Sequence, residues 1–286
     1  MNICILDPAS QIPSLTLLFP NAEYYAHEQT DDFTYYGQYS QQQNLEKYGF
    51  KYRTDWETIN SNTYDCLFIS VTLSDYYNPL SPILINSLYK MKEKIKCIID
   101  TNKFKKVVLF DTYDYDYDPS IMNTEWKVDY YFKRNYNKTK EYAKNVFPFP
   151  YIMFVKPCVL GMVLNSVNTS VNRSIHNEEK INKALWAGAI YNHIDDTNKV
   201  YRMRQDMFEQ IKQYIEVGYF SETDYINALQ KYKVSVDLIG VGDPNKRTIE
   251  ILTNGSLMLS MCGDLAWGFD DEFHPDTFFK TAEEFK

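Results

Sequence analysis

Apolar positions along the chain fall into two alternating patterns. Short continuous runs, "NICILD" (2–7), "YDCLFISVTL" (64–73) and "KKVVLFD" (105–111), have strand length and no polar face, as strands buried on both sides require. Between the last two, "SPILINSLYKMKEKIKCII" (81–99) repeats its apolar positions at the helical period behind a Ser–Pro start, which completes a βαβ unit. "VDYYFKR" (128–134) and "NVFPFPYIM" (145–153) read as further strands. Residues 1–155 therefore predict one doubly wound domain.

A second alternating series follows residues 156–180, whose Asn, Ser and Val show no clean period and mark the domain connection. "KALWAGAIYN" (183–192) reads as a strand entering a loop at Gly188. "KVYRMRQDMFEQIKQYIEVG" (199–218) reads as a helix closed by its glycine, and "SETDYINALQKY" (221–232) as a helix opened by Ser221 and Asp224 at capping-box spacing. "VSVDLIGVGDPNKRTIEILTNGSLML" (234–259) then reads as strand, glycine loop, helix, turn and strand. Asp243 suits an N-cap, Pro244 the first helical position and Asn254–Gly255 the stop. The fold class expected is α/β, with two Rossmann-like domains, 1–155 and 156–286, facing a cleft.

Length agrees, since 286 residues exceed one ordinary domain. With 44% hydrophobic and 16% aromatic residues the chain can bury two cores. A net charge of −8 weighs against a nucleic-acid partner, because binding through phosphates draws on clustered Lys and Arg. The N-terminus shows no basic leader and its apolar run "LTLLF" is too short for a membrane span, so a cytoplasmic protein is expected. The five cysteines are scattered, without metal-ligand spacing, and are expected to be buried free thiols.

Candidate chemistry concentrates where the second series carries its glycine loop. Gly240 and Gly242 would let a ligand approach the backbone at the carboxyl edge of a sheet, and the helix after them would present free N–H groups and a positive dipole end. Arg247 in the first turn offers a fork of donors suited to a phosphate. Glu250, three residues on, offers a carboxylate suited to sugar hydroxyls. A surface ion pair between the two is the alternative.

"YINALQKYKVSVDLIGVGDPNKRTIEILTNGSLML" resembles the donor-binding half of GT-B-class glycosyltransferases. It is particularly similar to the branch of the protein O-glucosyltransferases and the capsule-associated CAP10-like enzymes. "WAGAIYNHIDDTNKVYRMR" resembles an earlier element of the same enzymes. The likeness spans about 80 of the 286 residues. It implies a donor domain at 156–286 and an acceptor-side domain at 1–155. Arg247 would hold the donor diphosphate and Glu250 the ribose. Gly188, Gly240 and Gly242 would give backbone access, and Arg202 or Arg204 would make a second phosphate contact. The implied donor is a UDP- or GDP-sugar, the acceptor a glycan or other hydroxyl compound, and no metal is obligatory. Retaining relatives carry a second acidic residue eight positions before the first. Gly242 stands there, which favours inversion.

An inverting transfer needs a base, and "VVLFDTYDYDYDPSIMNTE" (107–125) supplies acids after a strand. Asp111, Asp114 and Asp116 are the candidates, with His27 in reserve. The rival reading makes Asp114 and Asp116 a Mn²⁺-binding pair of the GT-A class. A non-catalytic nucleotide- or glycan-binding module is the third. An EF-hand loop is disfavoured because Pro119 occupies the position where its glycine turns. Lys133 and Arg134, a basic pair at a strand end, read either as surface or as a contact to donor phosphates.

Overall fold

A computed structural model describes residues 1–8, 12, 15–26, 45, 50–71, 82–112, 126–149, 179–188, 190, 199–240, 246–261 and 272–286. The chain divides into two compact units, Met1–Phe154 and Val155–Lys286. Each is built on one parallel sheet, and the fold class is α/β, with two Rossmann-like units.

The first unit contains β1 (Ile3–Leu6), α1 (Leu15–Leu18), β2 (Glu23–Tyr25), β3 (Cys66–Val71), α2 (Pro82–Thr101), β4 (Lys106–Asp111), β5 (Tyr130–Lys133) and β6 (Val146–Pro148). Its sheet order is β2-β1-β3-β4-β5-β6. All four residues of β1 are buried, and so are the last five of β4, which is why these strands read as unbroken apolar runs. One face packs Leu67, Leu109 and Tyr131 against Met91, Ile95 and Ile98 of α2. The other is aromatic, and there Phe110 stacks on Phe132 with ring centroids 5.2 Å apart.

The second unit contains β7 (Ile181–Ala187), α3 (Lys199–Ile211), β8 (Ile215–Gly218), α4 (Glu222–Lys231), β9 (Tyr232–Asp237), α5 (Lys246–Thr253), β10 (Leu257–Met261), β11 (Phe278–Phe279) and α6 (Ala282–Phe285). Its sheet order is β11-β10-β9-β7-β8. Counted within each unit, both sheets thus follow the doubly wound order 2-1-3-4-5, and the first adds a sixth strand. Trp186, Val236 and Met261 share a core with Met207 and Ile211 of α3 and Ala282 of α6. Leu229 of α4 and Ile251 of α5 pack with Met258 in a separate cluster.

Two expectations need correction. The helix predicted over 199–218 ends at Ile211, passes through one 3-10 turn (Lys212–Tyr214) and becomes β8, an edge strand paired to β7. The β-branched residues of "IEVG" gain more from that ladder than from another helical turn. Gly218 accordingly ends a strand. Among the described cysteines Cys4 and Cys66 are buried, whereas Cys97 is exposed. In the last turns of α2 Ile95 and Ile98 are buried, and Cys97 falls between them on the outward face. β2 was not anticipated. It is three residues long, too short for its period to stand out.

Other boundaries follow local chemistry. Ser221 caps α4 by accepting from the Asp224 N–H at 3.3 Å. α5 stops where Gly255 takes a φ of 74°, the left-handed value that glycine adopts without strain. Asp243 and Pro244 lie outside the described residues. No helix among the described residues is long and apolar enough to cross a membrane.

Ile95 is fully buried at the centre of the α2 contact with the first sheet. Ile95→Ala should lower unfolding free energy by about 2–5 kcal/mol, measured by urea denaturation, whereas Cys97→Ala should change it by less than about 0.5 kcal/mol.

Candidate ligand site at the edge of the second sheet

In a sheet of order 2-1-3-4-5 the chain turns outward in opposite directions after its first and third strands. The crevice at their carboxyl ends is the standard ligand position. In the second unit those strands are β7 and β9, which pair directly. Gly188 follows β7, and Leu238, Ile239 and Gly240 follow β9 as a buried loop.

Side chains from β7, β9, α4 and α5 converge on this edge. α5 belongs with α4 through the Leu229–Ile251–Met258 cluster, whereas Trp186 belongs to the α3 and α6 core. Arg247, the second residue of α5, nevertheless has its Cζ 4.3 Å from the centroid of the Trp186 ring. The guanidinium therefore crosses the strand end from one packing cluster to the other. It passes over Gly188, where a Cβ would come within 2.4 Å of an Arg247 terminal nitrogen. The α5 helix is anchored beneath it by Thr248, whose buried hydroxyl donates to the Asp237 carboxylate at 2.5 Å, with Asp237 itself buried at the end of β9. Glu250 lies one turn further along α5, half-buried. Tyr225 of α4 closes the group: burial pushes its phenol pKa up, and the Arg247 charge works in the opposite direction.

Arg204 is directed at the loop rather than outward. Its Nε donates to the Ile239 carbonyl at 2.6 Å, and its guanidinium lies 5.3 Å from the Tyr201 ring centroid. A half-buried arginine thereby ties α3 to the loop behind β9. Arg202, two residues earlier, is exposed. The structure thus brings Gly188, Gly240, Arg204, Arg247 and Glu250 to one sheet edge. Gly242 lies outside the described residues. Trp186, Asp237 and Thr248 were missed by sequence reasoning. Trp186 carries no mark in the sequence beyond its place two residues before Gly188.

In the first unit the described residues of the carboxyl edge are largely polar. Asp7, Ser70, Asp111, Thr112, Lys133, Arg134 and Asn135 are all buried at or just beyond the ends of β1, β3, β4 and β5. Lys133 Nζ stands 3.7 Å from Asp111 Oδ2, both residues being 0% exposed, and the Tyr131 hydroxyl donates to the same carboxylate oxygen at 3.1 Å. Arg134 donates to the Thr112 carbonyl at 3.3 Å. The basic pair is therefore buried within the strand ends, and the surface reading of it is corrected. Asp111, at the end of β4, has its carboxylate turned onto Tyr131 and Lys133. Asp114, Asp116 and His27 lie outside the described residues. Among the described residues no group of three or more His, Cys, Asp or Glu side chains is placed to hold a metal ion.

Removing the Thr248 hydroxyl while keeping its shape tests the anchor of α5. Thr248→Val should destabilise the protein by about 1.5–3 kcal/mol, because a buried carboxylate loses a charge-assisted donor, and Thr248→Ser should recover most of that loss in the same urea titration.

No family model matches the chain, and no curated protein sequence matches it. Among solved structures, UDP-GlcNAc 2-epimerase from Neisseria meningitidis bound to UDP-GlcNAc superposes with a TM-score of 0.36 at 9% sequence identity, over 84% of this chain and 78% of that one. A likeness at that level assigns no residue a role.

Proposed function

We propose that the second unit binds a nucleotide diphosphate sugar at its carboxyl edge, and that the chain is a glycosyltransferase moving that sugar to a hydroxyl acceptor with inversion. The observation that carries the reading is Arg247, set across the ends of β7 and β9 by α5 and held over the Trp186 ring. A guanidinium there offers paired donors to a diphosphate, and the N-terminal N–H groups of α5 add positive potential at the same edge. Glu250, one turn along, accepts from ribose hydroxyls. Arg204 acts on the ligand through the Ile239 loop.

In this reading the first unit carries the acceptor side and the base. Asp111 already faces Lys133 and Tyr131, so taking a proton from the acceptor would require exchanging those contacts. Asp114 and Asp116, further along the same acidic stretch, meet the need more simply. The base removes the proton of the acceptor hydroxyl as its oxygen attacks the anomeric carbon, and the nucleoside diphosphate leaves with its new negative charge on Arg247 and α5. The likeness to the protein O-glucosyltransferase and CAP10-like branch supports a glycan or other hydroxyl compound as acceptor.

Calorimetric titration with UDP, GDP and their sugars tests donor binding. At least one should bind, and Arg247→Ala should weaken it by about 10–100-fold, the loss of a charge-assisted bidentate contact. Unchanged affinity removes Arg247 from the site.

The catalytic assignment is read from rates. Asp114→Asn or Asp116→Asn should lower kcat by about 10²–10⁴-fold with donor affinity nearly unchanged, and EDTA should leave transfer close to its starting rate. Complete loss with EDTA, reversed by Mn²⁺, would instead make these two carboxylates metal ligands.

A further inference from the structure

Trp186 is 0% exposed, sealed in the core that the second sheet shares with α3 and α6. A residue so buried acts on a ligand only through a neighbour, and its ring carries the Arg247 guanidinium at 4.3 Å. The indole N–H finds no hydrogen-bond acceptor among the described residues. Leaving that donor unsatisfied costs stability that phenylalanine would spare, so the feature in use at position 186 is the broad, electron-rich indole face. Gly188 supplies the other half of the fit. A Cβ there would lie 2.4 Å from an Arg247 terminal nitrogen, 2.9 Å from its Cζ and 2.9 Å from Cζ2 of Trp186. Guanidinium, indole edge and bare backbone are therefore packed against one another with no room for a methyl group.

We propose that Trp186 and Gly188 are positioning residues for Arg247, the indole face setting the plane of the guanidinium and the missing side chain leaving it room, so that the guanidinium is oriented at the edge where a diphosphate would bind. This rests on the reading of Arg247 as the diphosphate ligand. An arginine on an open helix surface samples many rotamers and loses that freedom when it binds. One already stacked has lost it during folding, so more of each new hydrogen bond appears as affinity. Trp186 thus governs binding without touching the ligand, and Gly188 is required for space at this position rather than for a left-handed backbone.

Isothermal titration with UDP, GDP and inorganic pyrophosphate, set against uridine and guanosine, separates positioning from general loss of structure. Trp186→Leu and Gly188→Ala should each lower affinity for the diphosphates by about tenfold, the loss of a partly desolvated cation–π contact, and Trp186→Phe by less. Affinity for the uncharged nucleosides should stay within about twofold of wild type. In an Arg247→Ala background Gly188→Ala should cost less than about twofold more, since the group it displaces is gone. Equal losses for diphosphates and nucleosides, or losses that persist undiminished without Arg247, overturn the proposal. So does wild-type diphosphate affinity in both variants while Arg247→Ala alone weakens binding. If Arg247→Ala leaves pyrophosphate, UDP and GDP binding unchanged, the functional reading itself falls. A ligand-free cycle then still reads the packing: Gly188→Ala should cost less stability beside Arg247→Ala than alone, and equal costs overturn the contact.

Discussion

Every strand pairing within both described sheets is parallel, and a parallel ladder cannot be closed by a tight turn. Each return must cross over a face of the sheet, so strands such as β1 and β4 are buried on both faces. Polar chemistry is left with the strand ends. Much of it is found there: Asp7, Ser70, Asp111, Thr112, Lys133 and Arg134 are buried at or just beyond the carboxyl ends of four neighbouring strands of the first unit, and Asp237 ends β9 in the second.

The doubly wound order sharpens this constraint to one place per unit, between the first and third strands. In the second unit that place holds two glycine-bearing loops and an arginine that reaches across from the helix after the third strand. The reach depends on packing from several directions. Thr248 and Asp237 hold the start of α5, Gly188 leaves a gap, and Trp186 provides the surface on which the guanidinium rests. Arg204 fixes the Ile239 loop between them. The first unit answers the same topology differently: at its edge a buried Lys133 faces a buried Asp111.

Most of this fold was legible in the chain because its signals are local. Strands buried on two faces appear as unbroken apolar runs, α2 appears as a helical period, and the Ser221 cap and Asn254–Gly255 stop appear as residue chemistry. What was misread had weak or conflicting local signals. Lys199–Ile211 runs into "KQYIEVG" without a break in helical pattern, and only the neighbouring β7 makes a strand of Ile215–Gly218. β2 and β11 are too short to show a period and exist because an adjacent strand offers a ladder. The extra residue of β7 between its pairings at Ile181 and Ala184 has no sequence mark either.

The site divides along the same line. Arg247, Glu250, Gly188 and Gly240 stood out in the sequence because glycines beside strand ends and an arginine in a first helical turn are local patterns. Their meeting was settled by tertiary structure: Gly188 and Arg247 are separated by 59 positions, and only the adjacency of β7 and β9 brings them together. The burial of Lys133 and Arg134 was likewise invisible, since a basic pair at a strand end looks the same whether it meets water or a carboxylate. The sequence by itself determined most of the longer strands and helices and which residues are candidates for chemistry, because propensity, period and capping act within a few residues. Which of those residues touch was decided by sheet order and by packing across the strand ends, where contacts span distances along the chain that no local pattern encodes.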